Sequence, residues 1–368
     1  MSRHVIVGLS GGVDSAVAAL RLIEAGDRVE GLFMFNWAED EAGRCQAADD
    51  FEAARAAAEV LDIPLHRADF SAEYRQRVFQ PFVDGYAAGR TPNPDVLCNR
   101  EVKFDPFLNH ARRLGADCIA TGHYARVEAD GPGWRLRRGV DPGKDQSYFL
   151  AAVPQTALAR TLFPLGDLHK QDVREMARAA GLPNHARQDS TGVCFIGERD
   201  FDGFLAGYVD AEPGPIRVAD GPLAGTDIGR HRGLAFHTIG QRRGLGIGGV
   251  RGAPDAPWFV VEKTMTDAVL WVSQNPDHPG LRPRLVDTAA PQWIGPAPSL
   301  PLTCRVQVRY RQTDQPCVVT ARGDGLRLTF DTPPFAAAPG QYAVFYDDDT
   351  CLGCAEIDTL PAQATEAA

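Results

Sequence analysis

His4-Val5-Ile6-Val7-Gly8-Leu9-Ser10-Gly11-Gly12-Val13-Asp14-Ser15 is the stretch on which the reading of this 368-residue chain turns. It opens with an apolar, β-branched run, as expected of a strand buried on both faces of a parallel sheet. A glycine-rich turn follows, then Val13, Val17, Leu20 and Ile23 at helical spacing, then Gly26 as a helix stop. Only Gly takes positive φ freely and lets backbone N–H groups approach a ligand. Strand, tight turn and helix in that order present those N–H groups and the positive end of a helix to an anion. Ser10 and Ser15 add hydroxyl donors, and Asp14 is an oxygen ligand suited to Mg2+. The loop lacks the Lys of a Walker A loop, which excludes the P-loop NTPase pattern.

Working outward, Val29–Phe35 reads as a second strand, 45–61 as a helix, Leu65–Phe70 as a strand and 72–88 as a helix. Cys118-Ile119-Ala120 then runs into Thr121-Gly122-His123. Strands separated by helices predict right-handed βαβ units and an open, mostly parallel α/β sheet with flanking helices. After about Leu205, Gly and Pro become dense, and from about Leu281 the pattern is all-β. Thr303–Arg311 sets Cys304, Val306, Val308 and Tyr310 on one side and Arg305, Gln307, Arg309 and Arg311 on the other. Leu326, Leu328 and Phe330 alternate again, as do Tyr342, Val344 and Tyr346, and short strands of this kind predict a small β-barrel. The expected organisation is an α/β domain over 1–205, a small Gly/Arg-rich central domain over 206–278, a C-terminal β-barrel over 279–362 and a disordered tail over 363–368.

At 44% hydrophobic and 23% charged residues the composition is that of a globular protein, and no apolar run approaches a membrane span. The segment MSRHVIVGLSGG has too short an apolar core for a signal peptide, so a cytoplasmic location with mostly reduced cysteines is expected. The net charge of −10 argues against indiscriminate nucleic-acid binding, but it is uneven. Residues 228–313 carry 11 Lys+Arg against 5 Asp+Glu, whereas 1–227 and 314–368 are net −9 and −7. Arg230, Arg232, Arg242, Arg243 and Arg251 share a Gly-rich stretch without one acid, as phosphate contacts require.

Two of the eight cysteines stand in unusual settings. Cys98 ends Thr91-Pro92-Asn93-Pro94-Asp95-Val96-Leu97-Cys98, where the prolines forbid helix and stiffen a loop, and Asp95 is a candidate acid/base partner. Cys194 lies in DSTGVCFIGERDF, where Gly192 and Gly197 bracket a loop able to close on a site. A thiolate is both a nucleophile and a sulfur carrier, so two loop cysteines beside an anion loop read as a sulfur relay. Gly244–Gly249 fits a dinucleotide motif but follows no buried strand. Cys351 and Cys354 form a lone CxxC without the second pair a zinc site needs, and their role stays open. Cys45 and Cys118 read as structural.

The loop SGGVDS resembles the PP-loop of the ATP pyrophosphatase superfamily, whose members cleave ATP to AMP and pyrophosphate. That resemblance implies that Gly8, Leu9, Ser10, Gly11, Gly12, Val13, Asp14 and Ser15 bind ATP, with Mg2+ through Asp14, and that Met34 and Gly122 contact the adenosine. Together with TPNPDVLCNREVKF, TGHYARV, GKDQSYFL, GLPNHARQDSTGVCFIGERDF, HTIGQRRGLGIGG and APGQYAVFY, nearly the whole chain resembles the tRNA-specific 2-thiouridylases.

The family resemblance implies ATP-dependent 2-thiolation of the wobble uridine of tRNAs with Lys, Glu and Gln acceptors. Cys194 would carry a persulfide supplied by a cysteine desulfurase or sulfur-carrier protein, and Cys98 would be the catalytic nucleophile. It further implies that Asn93, Pro94 and Asp95 meet the target base, and that Lys144, Asp145, Gln146, His123, Gln341, Arg309 and Tyr310 contact tRNA. The chain departs from the family's usual residues at His237 and Cys354. Two other functions fit parts of the pattern: a PP-loop amide ligase, which would need no cysteine pair, and an inactive RNA-binding protein, which would need no intact loop.

Overall fold

The computed structural model describes residues 2–37, 46–188 and 201–361. Cys45, Cys194 and the proposed tail lie outside the described residues. The chain begins with β1 (His4–Gly8), α1 (Val13–Glu24), β2 (Arg28–Phe35), α2 (Gln46–Val60), β3 (Leu65–Asp69) and β4 (Cys118–Ala120). A hairpin, β5 (Ala125–Asp130) and β6 (Gly133–Arg138), precedes the short β7 (Thr161–Leu162). The first sheet runs β3-β2-β1-β4-β7, all pairs parallel.

Alternate residues of β1 feed two cores, which is why Val5, Ile6 and Val7 are all apolar. Val5 and Val7 pack with Val17, Ala54 and Val173 on one face, and Ile6 packs with Phe82, Phe107 and Ile119 on the other. The strand order reverses between β1 and β4, and a crevice at such a switch point is where open α/β sheets bind ligands.

The expected helix at 72–88 is present as Ser71–Tyr74, a π-turn Arg75–Phe79 and Gln80–Ala87. The Cys98 segment departs from expectation. It is a helix, Pro94–Cys98, not a proline-stiffened loop, and it continues as a π-turn over Asn99–Lys103. Pro94 occupies the first helical position, where a missing N–H costs nothing, and the Asn93 side chain caps the helix by accepting from Val96 N at 3.2 Å.

The central sheet comprises β8 (Gly214–Val218), β9 (Asp227–His231), β10 (Phe259–Thr264) and β11 (Val269–Ser273), in the order β10-β11-β8-β9. The barrel comprises β12 (Leu285–Thr288), β13 (Gln292–Trp293), β14 (Leu302–Gln307), β15 (Gln315–Arg322), β16 (Gly325–Phe330), β17 (Tyr342–Asp347) and β18 (Thr350–Thr359). It closes where Asp287 and Thr288 pair with Thr359 and Ile357.

Two sequence expectations change here. The strand expected to run to Arg311 ends at Gln307, which is buried, and the chain then bends, with Arg311 at positive φ. Arg305 is bound to Asp314 at 2.6 Å and Arg309 turns inward, so no arginine row covers that face. Both sides of β17 are buried, because Ala343 and Phe345 fill the barrel while Tyr342, Val344 and Tyr346 pack into the core of the first domain. The β5–β6 hairpin joins the same sheet through Arg137↔Thr350 and Leu136↔Cys351. The N-terminal α/β half and the barrel therefore share one sheet and one apolar core.

Candidate active site

The SGGVDS loop sits at the carboxyl end of β1. Its serines lock it from within: Ser15 Oγ donates to Gly12 O at 3.0 Å and accepts from Ser10 N at 3.2 Å. The N-cap residue of α1 is Gly12, which has no side chain to cap it, and this leaves the first N–H groups of the helix suited to an anion. Gly11 has φ +80°. A Cβ on it would lie 2.3 Å from the Asp50 carbonyl oxygen, so both its conformation and its space demand Gly.

The underside is braced from far along the chain. Asn184 Nδ2 donates to the carbonyls of Gly11 and Gly12 at 3.0 and 3.1 Å, and Arg187 Nη1 donates to Gly11 at 3.2 Å. Met34 lies beside Gly8, and Gly122 lies against Ser15 N, so the expected nucleotide residues do converge on one crevice.

Asp14 behaves otherwise than expected. Lys170 Nζ donates to its two oxygens at 2.7 and 2.8 Å, and Tyr124 OH donates to one of them at 2.8 Å. A carboxylate neutralised by an ammonium on both oxygens does not fit direct Mg2+ coordination. Lys170 gives the loop the cation that its own sequence lacks. It carried no local signal, because it stands 156 residues from Asp14. Asn184 and Arg187 at least fall inside one of the recognised segments, GLPNHARQDS.

Asp95 and Cys98 share the short capped helix, one turn apart. Cys98 is 2% exposed. Burial pushes the Asp95 carboxyl above the usual range, opposed by nearby Lys103, which suits a group that must hold and give a proton. Burial and the same Lys103 hold His123 well below the usual imidazole range, so it is neutral, with Nδ1 2.7 Å from Thr121 Oγ1. Lys103, inside the recognised TPNPDVLCNREVKF, thus acts on both groups and is a site residue missed from sequence.

Just upstream, Thr91 is a meeting point of three domains. Its N–H donates to Pro339 O at 2.7 Å, its carbonyl accepts from Gln341 Nε2 at 2.8 Å, and its hydroxyl bonds that of Thr238 at 2.8 Å. Gln341 and Asn93 therefore lie close together. Tyr310 packs against Phe149 with ring centroids 4.3 Å apart and the ring planes tilted by 46°.

The other expected tRNA residues are more engaged within the protein. The Asp145 carboxylate accepts from Gly139 N, Ser147 N and Ser147 Oγ at 3.0–3.1 Å. Gln146 Oε1 accepts from Tyr124 N at 3.0 Å. Arg309 Nη2 donates to Ile239 O at 2.8 Å. Arg242, Arg243 and Arg251 of the basic stretch are exposed, while Arg232 pairs with Asp202. Cys304 and Cys317 face each other inside the barrel, while Cys351 and Cys354 face the first domain.

A parallel sheet with this loop at its switch point defines a HUP-type, PP-loop enzyme domain. Residues 3–198 match the family model described as tRNA methyl transferase HUP domain, 202–274 the tRNA methyl transferase PRC-barrel domain and 284–357 the aminomethyltransferase beta-barrel domain. The chain is 54% identical over 361 residues to the tRNA-specific 2-thiouridylase MnmA of Stenotrophomonas maltophilia (strain K279a), a match covering 98% of this chain and 94% of that one. It is 52% identical, with the same coverage, to the protein of that name from Xanthomonas oryzae pv. oryzae (strain PXO99A). Among solved structures it overlaps the U34-tRNA thiolase NcsA of Methanococcus maripaludis at 16% identity and TM-score 0.34, covering 56% of this chain and 65% of that one. The chain belongs to the tRNA-specific 2-thiouridylase family.

Proposed function

We propose that this enzyme 2-thiolates the wobble uridine of tRNA, taking activation from ATP and sulfur from a cysteine persulfide. The observation that carries the reading is that 54% identity runs through 98% of the chain, so it takes in the nucleotide loop, the Cys98 helix and the barrel together. In this reading residues 1–205 carry the chemistry in the cytoplasm, while 206–278 and 279–362 help to hold the RNA.

The C2 carbonyl of uridine is amide-like and a poor electrophile. Transfer of AMP from ATP to its oxygen turns that oxygen into a good leaving group. In this reading the N–H groups of α1 and the exposed Ser10 hydroxyl meet the phosphates, while Ser15 holds the loop in shape from within. In this reading the nucleoside lies between Met34, which is beside Gly8, and Gly122, which is against the start of α1. Magnesium enters this reading only on the phosphates of the nucleotide, because Asp14 is held by Lys170.

The terminal sulfur of a Cys194 persulfide then bonds C2 as AMP leaves. The Cys98 thiolate attacks the Cys194 sulfur, breaks the S–S bond and forms a Cys98–Cys194 disulfide, leaving one sulfur on the base. Asp95, one turn from Cys98, takes and returns the accompanying proton. A cysteine desulfurase or carrier protein reloads Cys194 after an external thiol reduces the disulfide. The tRNAs are those with Lys, Glu and Gln acceptors.

The test is tRNA-dependent ATP–pyrophosphate exchange followed by alkylation of Cys98. The reading predicts exchange, with thiolation abolished by alkylation. Activity that survives complete alkylation of Cys98 would instead indicate the amide ligase.

A further inference from the structure

Tyr124 and Asp141 join the nucleotide loop to the turn of residues 141–146 along two separate paths. The first runs through Tyr124, which is 2% exposed. Its hydroxyl donates to Asp14 Oδ1 at 2.8 Å. Its backbone is gripped on both sides by one residue of the turn: Tyr124 N donates to Gln146 Oε1 at 3.0 Å, and Gln146 N donates to Tyr124 O at 2.9 Å.

The second path runs through Asp141. Its Oδ2 accepts from Lys170 N at 3.0 Å, where the helix Lys170–Ala179 begins, and Lys170 Nζ donates to both oxygens of Asp14. Its Oδ1 accepts from Gly143 N at 2.9 Å, and its carbonyl accepts from Lys144 N and Asp145 N at 3.0 and 2.8 Å. The two paths leave one turn and meet on one carboxylate. Lys170 Nζ also lies 5.8 Å from the Tyr124 ring centroid, within cation–π range. Because the ring is closed, a shift of the turn either moves Asp14 or breaks a charge-assisted hydrogen bond.

The outer side of the turn is open, with Pro142 and Gly143 exposed. Its far edge is anchored, because Ser147 Oγ bonds Asp145 Oδ2 and the Tyr346 hydroxyl of β17, each at 3.0 Å. At the other end of the ring, Asp14 stands in the first turn of α1, whose N–H groups suit the phosphates.

We infer that Tyr124 and Asp141 are positioning residues that couple the two substrate sites, so that tRNA on the turn and ATP on the loop each strengthen the binding of the other. The inference rests on the tRNA reading above, which sets Lys144, Asp145 and Gln146 against tRNA, and deepens it. RNA seated on the turn restrains Gln146 and Asp141. Through the two paths it also restrains Tyr124, Lys170 and the Asp14 end of α1. ATP needs those same atoms fixed. Whichever substrate binds first bears the ordering, and the second meets a site already ordered, so the gain is reciprocal.

The test uses the full-length enzyme, a non-hydrolysable ATP analogue and an unmodified transcript of a tRNA with a Lys acceptor. Kd for the analogue is measured with and without saturating tRNA, and Kd for tRNA with and without saturating analogue. In the wild type the two ratios should be equal and about tenfold, within the usual range of coupling between sites. Tyr124→Phe and Asp141→Ala open the ring at different points, and each should reduce both ratios to about threefold or less. A merely structural role would weaken binding of the analogue equally with and without tRNA and leave the ratios at their wild-type value. Melting curves identify the variants that fold. Ratios of one in the wild type, or wild-type ratios in every variant that folds, would overturn the inference. A wild type that fails to thiolate this tRNA with ATP and a persulfide donor would overturn the tRNA reading, whereas one that thiolates it while both ratios stay at one would overturn this inference alone.

Discussion

Gly122→Ala isolates the claim that the crevice between β1 and β4 is built to a fixed width. A Cβ at Gly122 would stand 2.7 Å from Ser15 N and 2.8 Å from the Asp14 carbonyl carbon. Both are backbone atoms, so no rotamer relieves the overlap. Restoring ordinary contact at about 3.4 Å moves the first turn of α1 by about 0.6–0.7 Å. Overpacking of this kind costs about 1–3 kcal/mol.

That cost can emerge in two places. If the helix holds its position, the strain is carried by the folded protein and Tm falls by about 2–4 °C per kcal/mol. If the helix recedes, the loop amides leave their places and ATP affinity falls by about 5–150-fold, which is the same energy expressed in binding. Calorimetric melting of the full chain and titration with a non-hydrolysable ATP analogue read both. A Gly122→Ala protein unchanged in Tm and in ATP affinity would refute the argument.

Further predictions follow from the same geometry. Thr91→Val removes one hydroxyl bond between domains, worth about 0.5–1.5 kcal/mol; thiolation kcat should fall by up to about tenfold and recover in Thr91→Ser, and equal kcat in all three proteins would remove Thr91 from a positioning role. His237 is held down to about 4 by burial, with His231, Lys263 and Arg232 adding repulsion. Its unfolded form takes up a proton as pH falls below about 6.5 and its folded form does not, so stability should drop by roughly 2–4 kcal/mol between pH 7 and 4, a slope that His237→Phe should flatten in melting curves. Replacing exposed Arg242, Arg243 and Arg251 together by Ala should lower the slope of log Kd for tRNA against log salt by about 2–3, and an unchanged slope would take these residues out of phosphate binding.

The loop and sheet were legible because their requirements are local. A buried parallel strand must be apolar throughout, and Gly11 must be Gly for its backbone. Other features depend on what the tertiary structure brings alongside. Pro94 looks like a helix breaker until Asn93 is seen capping the turn that begins with it. Tyr342, Val344 and Tyr346 alternate correctly, but nothing local shows that the face between them is buried too, since its partner is the barrel interior. The arginines at 305 and 309 read as a solvent row, and only Asp314 and Ile239 O, from other segments, show them occupied. Lys170 is the clearest case, because its partner Asp14 lies at the far end of the domain sequence.

The central claim is the sulfur relay, and the direct measurement is mass spectrometry of wobble nucleosides from tRNA treated with ATP, a persulfide donor and either wild-type or Cys194→Ser enzyme. The account predicts 2-thiouridine with the wild type and, with Cys194→Ser, continued AMP and pyrophosphate release without any 2-thiouridine. Formation of 2-thiouridine by Cys194→Ser would contradict it.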